Sequence, residues 1–352
     1  MKRSLSIILA AAAILACTKT EQTFDASQQS EIAIMPVSGK LTKAAITDGV
    51  FPTDNHIGLY AFYTSDVNAG PVSDYSKFSI KYFDNTEFHC EAGQTAWDGL
   101  LSDYYWPATG SLVFAGYSLN VPTQNQIESV QNGTPSYDLS KDQLKITGYT
   151  QSNKTDETYD LLYFGRTASS YGKNTLSVPV VFEHALAWIE VQVMGGTGAL
   201  MGGGRTWRAT KVEFRDVATK GNFEYKGVQT AAANTNPVKW TEQSVQTGTE
   251  NVVVYTGSQD LTGGMKPIEN VQAGTLIIPQ AAKKLYVTIE YDSPAGDSIK
   301  EVIEIDIPAY TSAWEAGKKY TYQLTFSPQE ILVAPKVDKW PGAEETTWPS
   351  QN

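Results

Sequence analysis

The chain has 352 residues, and at about 100–200 residues per domain two domains are expected. It is 41% hydrophobic, 11% aromatic and 18% charged, with 28 Gly and 16 Pro, the make-up of a folded, β-leaning protein with a sizeable core. Lys and Arg number 27 against 38 Asp and Glu, and a net charge of −11 repels a polyphosphate backbone, which argues against a nucleic-acid partner. The three histidines (His56, His89, His184) and two cysteines (Cys17, Cys90) lack the close spacing of a zinc site, so no metal or cofactor is expected.

Lys2 and Arg3 precede an apolar run from Leu5 through Ala16, too short to span a bilayer but suited to the centre of a signal peptide. The run ends Ile14-Leu15-Ala16-Cys17, which resembles the lipobox of bacterial lipoproteins. Residues 1–16 are therefore read as a removed signal, and Cys17 as the acylated first residue that ties the chain to a membrane. Loss of Lys2 and Arg3 makes the remainder more acidic still. With Cys17 carrying lipid, Cys90 has no intramolecular partner, and cores rather than disulfides must hold the fold. His89 and Cys90 are adjacent in sequence, so in a strand they point to opposite faces, and a buried structural cysteine is expected.

Residues 17–47 read as a tether with one apolar patch at 32–37, a detachable strand. From Ile57 onward come short aromatic and β-branched runs separated by Gly, Pro, Asn, Asp and Ser: IGLYAFYT, KFSIKYF, SLVFAGYS, DLLYFG and TLSVPVVF. Beyond Phe182 the alternation is cleaner. Ala185, Ala187, Ile189, Val191 and Val193 alternate with Leu186, Trp188, Glu190 and Gln192, and LYVTIEY, VIEIDI and YTYQLTF behave alike. No segment keeps a helical period, so the fold expected is all-β, two antiparallel β-sandwiches over residues 48–181 and 182–352.

No constellation nominates an enzyme. The glycine cluster from Gly195 to Arg205 lacks the P-loop pattern and reads as a hairpin connection. There is no Gly-x-Ser-x-Gly elbow or His-Glu-x-x-His, and the pairs Asp156/Glu157 and Glu344/Glu345 are merely adjacent. Eight tryptophans and 19 tyrosines raise a second reading, a monomeric surface lipoprotein that binds glycans. Trp106, Trp188, Trp314, Tyr320 and Tyr322 lie in strand patterns and are expected in cores, whereas Trp97, Trp240 and Trp348 have polar surroundings and are the candidates for surface contacts.

In order, the segments LTKAAITDGVFPTDNHIGLYAF (41–62), YWPATGSLVFAGYS (105–118), FEHALAWIEVQV (182–193), LIIPQ (276–280), WEAGKKYTYQLTF (314–326) and EILVAPKVDKW (330–340) resemble the fimbrillin family of type V pilins. The resemblance implies a shaft, anchor or tip subunit of an outer-membrane fimbria, built from two transthyretin-like sandwiches and contributing to adhesion to a host or bacterial receptor or glycan. It also implies processing by an Arg/Lys-specific protease, here between Lys43 and Ala44, with Lys43 in place of the usual Arg. The partners implied are other fimbrial subunits, joined by strand addition. The segment up to Lys43 would fill a groove during export and then leave, and a neighbour's strand would replace it. The donor expected is the C-terminal ILVAPKV, with Ile331, Val333 and Val337 on one face and Pro335 interrupting the ladder.

Overall fold

The structure is a computed structural model that describes residues 30–36, 55–66, 75–90, 96–99, 104–118, 133–152, 159–170, 177–195, 206–227, 238–245, 251–261, 266–267, 275–292, 295–307, 313–326 and 331–339. Apart from two single-turn 3₁₀ segments, the regular structure of these residues is β, as expected. The strands of the first half are β1 (Ile34–Pro36), β2 (Asn55–Thr64), β3 (Ile80–Cys90), β4 (Asp98–Gly99), β5 (Ser111–Ser118), β6 (Thr134–Asp138), β7 (Gln143–Thr150), β8 (Leu162–Ser170) and β9 (Val178–Val180). Next come β10 (Glu183–His184), β11 (Ala187–Gly195), β12 (Trp207–Arg215), β13 (Lys220–Lys226), β14 (Val238–Ser244) and β15 (Asn251–Asp260). The last are β16 (Lys266–Pro267), β17 (Thr275–Ile277), β18 (Leu285–Asp292), β19 (Ser298–Ile305), β20 (Lys318–Phe326) and β21 (Ile331–Lys339).

An antiparallel six-stranded sheet runs β10-β8-β5-β2-β3-β4. Its central strand β5 is buried at all eight positions, because its apolar residues occupy both parities. Leu112 and Phe114 enter one core with Ile57, Leu59, Trp97 and Trp106, while Tyr117 enters a second core on the opposite face. Tyr117 lies across its neighbour only because Gly58 has no side chain: a Cβ there would meet the Tyr117 ring at 2.4 Å.

The second half contains a true sandwich. One sheet, β16-β11-β20-β21 with β17 also on β11, faces β15-β12-β18-β19. Between them lie Ile189, Val191 and Val193 of β11, Val212 and Phe214 of β12, Val287 and Ile289 of β18, and Tyr322 and Leu324 of β20. The alternation read in β11, β18 and β20 is thus the inward and outward alternation of sandwich strands. Within this sandwich one pairing departs from the antiparallel expectation, since β11 and β20 run parallel from Trp188↔Lys319 to Gly195↔Phe326.

A further sheet, β14-β13-β7-β6, draws two strands from each half. β7 pairs with β13 from Lys220↔Thr150 to Lys226↔Gln143, and the core beneath mixes Leu144, Ile146 and Tyr149 with Trp188, Phe223 and Leu276. Sheet and core therefore continue across the boundary expected before Phe182, and neither 48–181 nor 182–352 is self-contained at that line. Two buried glutamines act as extra ladder rungs, Gln151 across the joint and Gln280 within the second half. The Gln280 side chain accepts from Ala218 N at 2.8 Å and donates back to Ala218 O at 3.1 Å. Gln151 accepts from Ile278 N at 3.0 Å and donates to Leu276 O.

Candidate strand-exchange site

The apolar patch read at 32–37 contains the strand β1 (Ile34–Pro36), and its seat is the most informative local feature of the fold. Ile32 and Ile34 are 0% exposed, whereas Glu31 and Met35 point outward, the period-two pattern of a half-buried strand. Ile34 donates to Trp97 O at 2.9 Å and accepts from Trp97 N at 2.8 Å, and Ile32 donates to Tyr104 O at 2.7 Å. On the other flank Ala33 O accepts from Val178 N at 2.7 Å, and β1 runs parallel to β9 through Ile34↔Val178 and Pro36↔Val180. The segment thus continues the strand order from β4 through Trp97 to β1 and β9, with backbone bonds on both sides. It plugs the first core, where burying each isoleucine contributes about 1.5–3 kcal/mol.

Trp97 forms one wall of this seat. It is 1% exposed and packs against Phe182 at 5.8 Å, so the surface-contact expectation for it is corrected. The polar residues around it in sequence belong to the chain's path, while its own backbone is tied to β1. Trp240 is only partly buried: its indole Nε1 donates to Ala185 O at 2.9 Å, and its ring packs edge-on against Tyr149 at 5.2 Å. Of the candidates for surface contacts, Trp97 is a core residue and Trp240 is partly buried against a core. Trp106, Trp188, Trp314, Tyr320 and Tyr322 are buried as expected, as is Cys90. Trp348, Cys17, Lys43 and Ala44, and all but Gly195 of the glycine cluster, lie outside the described residues.

The expected donor is the edge strand of the second-half sandwich. β21 pairs antiparallel with β20 from Phe326↔Ile331 through Leu324↔Val333 and Tyr322↔Pro335 to Lys318↔Lys339. Val333 packs against the sandwich core, while Val337 is 43% exposed. Pro335 interrupts donation at one rung, a feature tolerated at a sheet edge. In this single chain the strand is therefore held by one neighbour only, and its other edge has no pairing strand among the described residues.

A tyrosine stands beside each seat. Tyr82 donates from its hydroxyl to Tyr105 O at 2.6 Å, and burial, with a smaller effect of Tyr63, pushes its phenol up to about 12. Tyr320, paired with Val337, donates to Ala313 O at 3.1 Å and accepts from Glu315 N at 2.9 Å, and burial pushes it up to about 12 as well. Other buried titratable pairs are His184 with Asp160 at 2.8 Å, His56 with Glu87 at 2.6 Å and Arg166 with Asp142 at 3.0 Å. His56 also stacks on His89 at 4.3 Å. Among the described residues no group of three or more His, Cys, Asp or Glu is placed to hold a metal ion.

The fimbrillin-like family matches residues 42–340, so the match begins after the plug segment. No curated protein matches the chain. Among solved structures, a fimbrial protein from Bacteroides vulgatus is 16% identical, with 88% of this chain and 99% of that chain covered and a TM-score of 0.59, a likeness of fold. A cell adhesion protein described as putative, from Bacteroides ovatus, is 14% identical over 89% of this chain and 98% of its own, with a TM-score of 0.47. The tip fimbrial protein Mfa3 from Porphyromonas gingivalis is 9% identical over 89% of this chain and 100% of its own, with a TM-score of 0.40. By a match that covers most of its length, the chain belongs to the fimbrillin-like family.

Proposed function

We propose that the protein is a structural, non-catalytic subunit of a cell-surface fimbria, exported as a lipoprotein through Cys17 and assembled by strand replacement. The single observation that carries this reading is the plug. A short N-terminal strand, fully buried at Ile32 and Ile34 and hydrogen-bonded on both flanks, lies on the N-terminal side of Lys43. Cleavage after Lys43 would cut it from the body, and its departure would leave an apolar groove with unpaired backbone at Trp97 and Val178. Such a groove is an aggregation hazard unless another extended segment fills it. The C-terminal strand β21, held on one side only, supplies that segment from a neighbouring subunit, with main-chain bonds giving affinity and alternate side chains giving specificity.

Deletion of the chain from Ile331 onward tests the reading. The strands up to Phe326 remain, so the truncated protein keeps a cooperative thermal transition while forming no polymer. Loss of cooperative folding in the truncated chain would mean that β21 is indispensable to its own sandwich and would remove it as donor.

A further inference from the structure

The outer edge of β19 is built differently from the other long edges of the same sandwich. β15, the far edge of its own sheet, pairs with β12 through two register shifts, and β21 carries Pro335. β19 contains no Pro or Gly and pairs with β18 at eight consecutive rungs, from Leu285↔Ile305 to Asp292↔Ser298, with no shift. Among the described residues no strand pairs with its outer side. A regular free edge of this kind is a template for another strand. Apolar side chains stand in the open along it, Val302 at 53% exposure and Ile299 at 38%.

The charges flanking Val302 are placed symmetrically and have opposite sign. Side chains alternate between faces, so Lys300, Val302 and Glu304 share the outward face of the sheet, while Ile303 and Ile305 turn to the sandwich core. Lys300 stands two positions before Val302 and Glu304 two positions after it. An antiparallel copy of the strand centred on Val302 therefore sets Lys300 against Glu304 at one rung and Glu304 against Lys300 at another. Two charges of one sign at these positions would repel a second copy instead.

We propose that β19 is a self-pairing edge, at which two copies of this chain join antiparallel about a two-fold axis through Val302 and turn two four-stranded sheets into one of eight. Lys300 then lies opposite Glu304 of the second copy, Val302 opposite Val302 and Ile299 opposite Ile305. Glu301 lies opposite Ile303, a mismatch that its exposure to water relieves. Lys300 already pairs with Glu290 at 3.2 Å, and Glu304 accepts from the Tyr286 hydroxyl at 3.0 Å and pairs with Lys284. The joined sheet thus carries a row of alternating charge, Glu290 and Lys300 of one copy followed by Glu304 and Lys284 of the other. A two-fold contact is isologous and closes on itself, so it links subunits side by side and is separate from the strand replacement proposed above.

Charge exchange tests both the pairing and its register. Sedimentation equilibrium is run on the chain that follows the signal segment, with the plug uncut and with Cys17→Ser so that no lipid drives association, up to about 1 mM, the range of weak contacts. It gives a reversible dimer. Lys300→Glu and Glu304→Lys each bring like charges together at two rungs and weaken the dimer by about tenfold or more. Mixing these two variants restores it as a heterodimer, because both rungs are then oppositely charged, and a chain carrying both substitutions restores the homodimer. Val302→Asp sets two carboxylates against each other and weakens it as well. All three positions are exposed, so the thermal transition of each variant stays that of the unaltered chain. A monomer at every concentration, a dimer indifferent to the single substitutions, or single variants that mixing does not restore would each overturn the proposal and leave the strand-replacement reading untouched.

Discussion

Ile34 and Trp97 exchange both of their backbone hydrogen bonds, at 2.9 and 2.8 Å, although they stand 63 positions apart in the sequence. The pair joins the segment ahead of the proposed cut at Lys43 to the body of the fold. Any change that weakens this join is expected to loosen the first core and leave the sandwich of β11, β12, β18 and β20 intact.

Ile34→Ala is expected to cost about 2–5 kcal/mol, the range for truncating a fully buried isoleucine. Met35→Ala, at a position 38% exposed, is expected to cost much less. Urea denaturation of the unprocessed protein measures both, and equal losses would mean that the plug is not seated through Ile34.

The glutamine rungs give a second prediction. Gln280→Leu strips Ala218 of a donor and an acceptor, and Gln151→Leu leaves Ile278 N–H unpaired, at about 1–3 kcal/mol for each buried group so exposed to loss. Denaturation midpoints should fall in both variants. A near-neutral effect in both would contradict a stabilising role for these rungs.

Alkaline pH should unfold the protein in a definite window. Tyr82 and Tyr320 have folded values near 12, above the ordinary 10.0, so the neutral phenol is the form favoured by the fold. Their contribution is complete below pH 10 and is lost as pH rises through about 12. Burial pushes Tyr60, Tyr137 and Tyr149 in the same direction. Tyrosinate absorbance should therefore rise in two stages, exposed phenols near pH 10 and buried ones together with unfolding. A single smooth titration near pH 10 with the circular dichroism unchanged would contradict this.

Cys17→Ala should abolish acylation and leave the protein unprocessed or mislocalised, which detergent-phase partitioning reads directly. Partitioning unchanged in that variant would count against the lipoprotein reading.

Much of this was legible in the sequence where the period was local. SLVFAGYS is β5 residue for residue, and the alternation from Ala187 to Val193 marks β11 and its inward face. The apolar patch at 32–37 marked a strand, and the segment ILVAPKV marked β21. What was not legible depends on contacts distant in sequence. Nothing local to Leu144 or Phe223 announces that β7 and β13 share a sheet across the two halves. Trp97 misled because its neighbours are polar, whereas its burial follows from a backbone bridge to Ile34. Gln151 and Gln280 look like ordinary surface amides until the fold turns them into ladder rungs.

The central claim is that the plug leaves before the subunit is assembled. The N-terminal sequence of the subunit recovered from sheared, denaturation-resistant polymer tests it most directly. The account predicts a start at Ala44, with residues 30–36 absent from the polymer, whereas polymer whose subunits still begin at an acylated Cys17 and retain Ile32 and Ile34 would contradict it.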